Sequence, residues 1–333
     1  YFIVEELLEM SIYFFVIMLV FYSGELIWKE RSNKINLICD ATPVANIVLL
    51  AGKYLALLSL YTIIIWSLII SGIIFQVSRG YFHFQLEVYF YVFFIEVFPF
   101  LALYTCMAFF FQVLINKKFV AIAAVLLFFI LNISSTYLGF THDLYKFGGS
   151  PLPSYSDMNG YGHFLTPYLW IKAYWLVFGL LLLIITSVIL VRGGESSLRK
   201  RIKVGKAQIT KPLLQFFVGS TFVFICLGGY IYYNTNMLNE YWTDDEEQAF
   251  RVGYERTLKT FEYIEQPTIV DVHLEVELFP ETRRYSIEGQ YMLVNANDTP
   301  IKSIHVQKLI AANVAVDNTV SYTHLTLPTN GEV

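Results

Sequence analysis

Along the chain, long apolar runs alternate with short polar ones at the spacing of membrane-crossing helices. A helix needs about 20 mostly apolar residues to cross the hydrocarbon of a bilayer. Six segments reach that standard: residues 10–27, 54–75, 87–114, 119–138, 173–191 and 213–233. The second, YLALLSLYTIIIWSLIISGIIF, carries no charge. Small residues inside these runs (Gly72, Gly179, Gly219 and Ser220) predict close helix packing, because they let backbones approach one another in lipid.

After Tyr233 the period changes. Thr243 followed by Glu246 reads as a capping box at a helix start. Phe250, Tyr254, Leu258 and Phe261 then recur at helical spacing. Val270, Val272, Leu274, Val276 and Leu278 alternate with Asp271, His273, Glu275 and Glu277, the pattern of an amphipathic strand ended by Pro280. Tyr285, Ile287, Tyr291 and Leu293 mark a second strand, NANDTP a turn, and residues 301–306 a third strand. The expected fold is an α-helical polytopic membrane protein of about six transmembrane helices, followed by the start of an antiparallel β domain. The expected division is 1–233 for the membrane domain and 234–319 for the β domain. The closing 320–333 stretch, VSYTHLTLPTNGEV, fits neither, resembles translated adapter sequence, and is expected to be non-native and poorly packed.

Composition sharpens this picture. The chain is 56% hydrophobic and 15% charged, against about 25% charged in soluble domains. A net charge of -4 hides an uneven distribution. If the first polar connection is cytoplasmic, so are Lys29, Arg31, Lys34, Lys53, Lys117, Lys118, Arg192, Arg199, Lys200, Arg201, Lys203, Lys206 and Lys211. The opposite loops hold only Arg79, Lys146 and Lys172. That bias satisfies the positive-inside rule and puts the β domain outside the cytoplasm. The start, YFIVEELLEM, has no initiator Met, basic leader or cleavage site, so the chain is expected to begin inside a longer protein.

Known catalytic motifs are missing. No G-x-x-x-x-G-K-[ST], H-E-x-x-H or G-x-S-x-G occurs, so no catalytic residue and no metal ligand is assigned. Cys39, Cys106 and Cys226 lack metal or redox spacing and read as small buried hydrophobes. His142, Asp143, Asp157 and His163, in the loop 141–167, match no ligand pattern, and that loop reads as an ordered lid or interfacial loop. The basic linker 192–211 reads as a topology determinant facing lipid headgroups rather than nucleic acid.

Two carboxylates stand out. Glu96, in the third apolar run, is an ionisable group at a costly depth. It reads either as part of a substrate or proton path or as a helix-packing hydrogen bond, and Pro99 should free a backbone carbonyl beside it. Glu25 is placed to reach Lys29 at i+4.

The connection GELIWKERSNKINLICDATPVANIVLLAGK (24–53) resembles the coupling segment of permeases in type-2 ABC exporters. The matching residues are Glu25, Glu30, Arg31, Ala41, Thr42, Pro43, Val44, Gly52 and Lys53. The resemblance implies that 29–45 holds a coupling helix for an ATP-binding subunit, with Glu30, Arg31, Asp40, Thr42 and Pro43 as contact residues. It also implies a second permease half or protomer as partner. Residues 254–306 resemble the N-terminal β-sheet domain of the aminopeptidase-N-like (M1) zinc peptidases. Together the halves imply a bacterial inner-membrane exporter subunit with an extracytoplasmic peptidase-like module. Its ATP would be bound by the partner, and any zinc would belong to a catalytic domain downstream. The competing expectation is a zinc aminopeptidase for which the helices are only an anchor.

Overall fold

A computed structural model describes residues 2–35, 38, 41–135, 137–153, 155–156, 158, 160–190, 197–207, 209–239, 241–279, 284–301 and 303–305. Cys39, Asp40, Asp157 and the 320–333 stretch lie outside the described residues. The chain divides into two compact units, Tyr1–Glu247 and Gln248–Val333.

The first unit is a helical bundle of α1 (Phe2–Ser32), α2 (Asn46–Ser78), α3 (Leu86–Ile115), α4 (Lys118–Ile133), α5 (Leu165–Ile189), α6 (Leu198–Ala207) and α7 (Lys211–Tyr232). Among the described residues, four helical stretches are long and apolar enough to cross a membrane: Asn46–Ser78, Leu86–Ile115, Gly162–Ile189 and Lys211–Met237. The expected first span lies within α1, whose opening turns carry Glu5, Glu6 and Glu9. The expected fourth span, 119–138, is shorter than its sequence suggests. α4 stops at Ile133 after 16 residues, and Ser135 then accepts the Phe140 and Leu138 amides in turns.

Core packing is organised by α3. Leu101, Leu103, Cys106, Ala108, Phe109 and Val113 are all buried along it, and Tyr104 packs against Phe128 and Phe129 of α4. Phe147, from the loop after α4, meets Tyr104, Phe128 and Trp175 edge-on at 5.1, 5.1 and 5.2 Å. Edge-to-face rings add to their area burial. Asn132 holds the loop there by donating to the Tyr104 hydroxyl at 2.6 Å and the Phe147 carbonyl at 3.0 Å.

The small residues behave unequally. A Cβ on Gly72 would meet Leu7 and the Tyr89 hydroxyl at 2.7 Å, and one on Gly179 would meet Leu103 at 3.1 Å. Gly219 has open space around it, because α7 touches the bundle through another face. That face stacks Phe224 on Tyr174 at 4.5 Å, and Ser220 is buried. Cys106 is buried as expected, but Cys226 is exposed on α7.

α8 (Asp244–Leu258) opens with the expected capping box. The Thr243 amide donates to the Glu246 carboxylate at 2.9 Å, and the Glu246 amide donates to the Thr243 hydroxyl at 3.3 Å. In the second unit β1 (Thr268–Phe279) pairs antiparallel with β2 (Arg284–Val294). Val272 faces Tyr291, Val276 faces Ile287 and Leu278 faces Tyr285. Gly289 lies opposite Leu274, whose side chain occupies the space a Cβ would need. The third strand is not formed at the described residues 301 and 303–305. Every residue of both strands is exposed, so the apolar face of the pair is open.

The cap makes α8 acid-sensitive. Its hydrogen bonds from Thr243 hold the Glu246 carboxyl below the ordinary value of 4.5. A depressed folded value stabilises the helix above the unfolded value and loses that contribution as pH falls through the folded one. Relative to its intrinsic rate, amide exchange at the start of α8 should therefore accelerate as pH falls below the ordinary 4.5. In Thr243→Ala, which lacks the cap, it should already be fast at neutral pH. Separately, Gly205→Val should unseat α6, because a Cβ at Gly205 runs into the Val188 carbonyl oxygen. Overpacking of this kind costs about 1–3 kcal/mol, readable as a lower thermal midpoint in detergent.

Candidate functional site

One end of the bundle gathers the C-termini of α1, α3 and α5 with the N-termini of α2, α4 and α7. Most of the polar side chains singled out in the sequence meet there. α1 runs without a break to Ser32, so Glu30 and Arg31 sit on its last turn rather than on a separate short helix. Lys34, with φ 58°, then turns the chain away.

The Glu30 carboxylate is paired with Lys53 of α2 at 2.7 Å, half in solvent. Arg31 donates to the Asn116 side chain at 2.6 Å and lies 5.4 Å over the Trp28 ring. Asn116 itself adopts φ 55° at the end of α3, a left-handed position that asparagine tolerates better than most residues. Trp28 donates to the fully buried Gln112 at 2.7 Å. Glu25 does not use Lys29; its partner is Lys118 at the start of α4, which α1 reaches by packing along that helix. Thr42 and Pro43 are exposed just before α2. Asp40 lies outside the described residues. Beside Pro43 a groove of about 330 Å³ is walled by Asn46, Val188, Gly205, Ile209 and Leu213.

A residue read only as part of a basic run proves central. Arg201 is 4% exposed. Its guanidinium donates to the Val113 carbonyl at 2.5 Å, to Ile189 at 3.2 Å and to Leu114 at 3.5 Å. These carbonyls belong to the last turns of α3 and α5, where helices leave acceptors unpaired and where a cation is favoured by the helix dipole. Burial, and then the nearby Arg31, push Arg201 below the ordinary arginine value; arginine stays charged at any ordinary pH. Asn46 does similar work on α5, donating to the Leu190 carbonyl at 2.5 Å. The spacing Leu198, Arg201, Ile202, Gly205 was the available signal, since it places an arginine on the inward stripe of a helix.

Glu96 lies away from this end, inside a π-helical turn of α3, Tyr91–Val97. Such bulges recur at functional sites. Pro99 has no amide for the Ile95 carbonyl four residues back, and the Tyr168 hydroxyl of α5 donates to that carbonyl at 3.1 Å. Lys172, one turn along α5, lies 4.7 Å over the Tyr168 ring and donates to the Gly148 carbonyl at 2.5 Å. Its charge acts on both Glu96 and Asp143, and the Leu152 amide faces the Glu96 carboxyl. Glu96 therefore has a cation and a backbone donor within its electrostatic reach.

In the loop, His142 accepts the Leu144 amide at Nδ1, 3.1 Å away, and its Nε2 meets Asn236 at 3.0 Å. Asp143 accepts from the Ser150 amide and hydroxyl at 2.8 and 2.7 Å. Among the described residues no three His, Cys, Asp or Glu side chains gather as a metal would require. Compared with known proteins, the chain matches no family model, no curated protein and no solved structure.

Removing Arg201 should be costly. Arg201→Met leaves acceptors of two helices unpaired and loses hydrogen bonds from a charged group, about 1.5–3 kcal/mol. Tyr168→Phe should cost about 1–3 kcal/mol by orphaning the Ile95 carbonyl. Thermal unfolding in detergent checks both, with Tyr137→Phe, 93% exposed, as the neutral control.

Proposed function

We propose that the chain is a permease subunit of an ATP-driven exporter, energised by an ATP-binding subunit that docks on the segment 29–45. The supporting observation is mechanical. The end of α1 bearing Glu30 and Arg31 is tied by ion pairs and hydrogen bonds to α2, α3 and α4. A force applied there reaches four helices at once. The exposed Thr42 and Pro43, beside an open groove, offer the adjoining contact surface.

Six helices cross the membrane on this reading, with α1 and α4 added to the four long apolar ones. Alternation supports it, because the ends of α1, α3 and α5 meet the starts of α2, α4 and α7 at one side of the bundle. The basic residues make that side cytoplasmic. Glu96, with Lys172 and the π-helical turn, is then an intramembrane station on the transport path. A second permease half or protomer completes that path. The open apolar face of the β1–β2 pair supports its membership in a larger extracytoplasmic β domain of the aminopeptidase-N-like kind, with any zinc held elsewhere in that module.

Copurification from native membranes tests the reading. The wild-type chain should bring down an ATP-binding subunit with ATPase activity. Glu30→Ala with Arg31→Ala should reduce that recovery at least tenfold, while Glu30→Lys with Lys53→Glu, which rebuilds the ion pair in reverse, reports whether the pair or the local charge is read. Full recovery with the double alanine variant, or a wild-type chain that binds no ATPase, overturns the proposal.

A further inference from the structure

The ten residues of α6 sort by position. Leu198, Arg201, Ile202 and Gly205 recur at intervals of three and four and share one face. Arg199, Lys200, Lys203 and Lys206 fill the opposite arc. The first face is fixed, because Arg201 is bonded to the ends of α3 and α5 and Gly205 lies against the Val188 backbone. That seat sets the rotation of the helix and leaves all four cations exposed. Among the described residues no carboxylate pairs with any of them.

Depth follows from the same contact. Val113, Leu114 and Ile189, whose carbonyls Arg201 reaches, lie in the last apolar turns of two membrane-length helices. α6 therefore runs level with the boundary where those helices turn polar. Leu198 and Ile202 flank the anchored stripe at this level, 41% and 36% exposed. A helix with an apolar edge and a basic arc lies in the plane of a membrane interface. Each Lys or Arg near an anionic surface adds to the attraction.

We infer that α6 is an interfacial helix whose Arg199, Lys200, Lys203 and Lys206 bind the anionic headgroups of the surrounding bilayer. The inference rests on α3 and α5 crossing a membrane, and not on docking of an ATPase. An acidic soluble protein could match the four cations, but the exposed Leu198 and Ile202, level with the apolar ends of α3 and α5, favour lipid.

The full chain, purified in detergent, is titrated with phosphatidylglycerol or phosphatidylcholine, and bound lipid is read by native mass spectrometry. Wild type should prefer phosphatidylglycerol. Each of R199Q, K200Q, K203Q and K206Q should lower that preference about fivefold, with a larger effect at low salt. R79Q and K146Q, at the other end of the bundle, should leave it unchanged. Arg201 is kept in every variant, and amide exchange across α6 verifies that the helix stays seated. A wild-type chain without the preference, or a fourfold glutamine variant that keeps it, overturns the inference. A basic arc reserved for an acidic protein would give the second of these results. Insertion is read separately by cofractionation with pure phosphatidylcholine vesicles. Failure there removes the membrane reading itself, whereas insertion without headgroup preference removes only the role of α6.

Discussion

The guanidinium of Arg201 lies between the last turns of α3 and α5, and much of the bundle is arranged around that placement. An α-helix ends with four carbonyls that have no partner of their own, and an apolar surrounding supplies no water to take them. Here one side chain from α6 serves two helices, and Asn46 from α2 serves the second of them again. The arrangement fixes the depth of α6, the approach of α2 to α5, and the room available only because position 205 is glycine. The neighbouring ties of Glu25, Trp28, Glu30 and Arg31 close the same end around α1. A functional reading centred on this end therefore rests on contacts among many elements rather than on one exposed motif.

Much of the helical layout was legible in the sequence because hydrocarbon thickness imposes a length that apolar runs display directly. The runs at 54–75, 87–114 and 213–233, and that at 173–191 as far as Ile189, lie in helices of membrane length. What length cannot reveal is how a helix ends. α4 stops at Ile133 because Asn132 is drawn to Tyr104 and the loop, and Ser134 and Ser135 enter turns. Glu25 has two lysines in range, and only packing selects Lys118 over its own-helix neighbour Lys29. The freed carbonyl beside Pro99 was foreseeable from proline's missing amide, but its acceptor role toward Tyr168 joins residues 73 positions apart. Arg201 was read only as charge, although its spacing with Leu198, Ile202 and Gly205 already placed it on the inward stripe.

The hairpin of the second unit shows the opposite balance. Its period-two pattern gave both strands and their pairing, since alternation and turn position together restrict register. The open apolar row of Val272, Val276, Leu278, Ile287 and Tyr285 is a surface that two strands cannot bury by themselves. On the other face Glu275 sits directly opposite Glu288, a like-charge pair that weakens the hairpin.

The bond from Tyr168 to the Ile95 carbonyl has a consequence for motion. α3 borrows from α5 the donor that its own proline lacks, so drawing the two helices apart would strand a carbonyl among hydrocarbon. They are thereby spliced into a single keel, reinforced at the far end by the shared arginine. α7 has no such splice among the described residues, and only 6% of its apolar window is buried. Any relative movement of the helices would therefore fall on α7 sooner than on the joined α3–α5 pair.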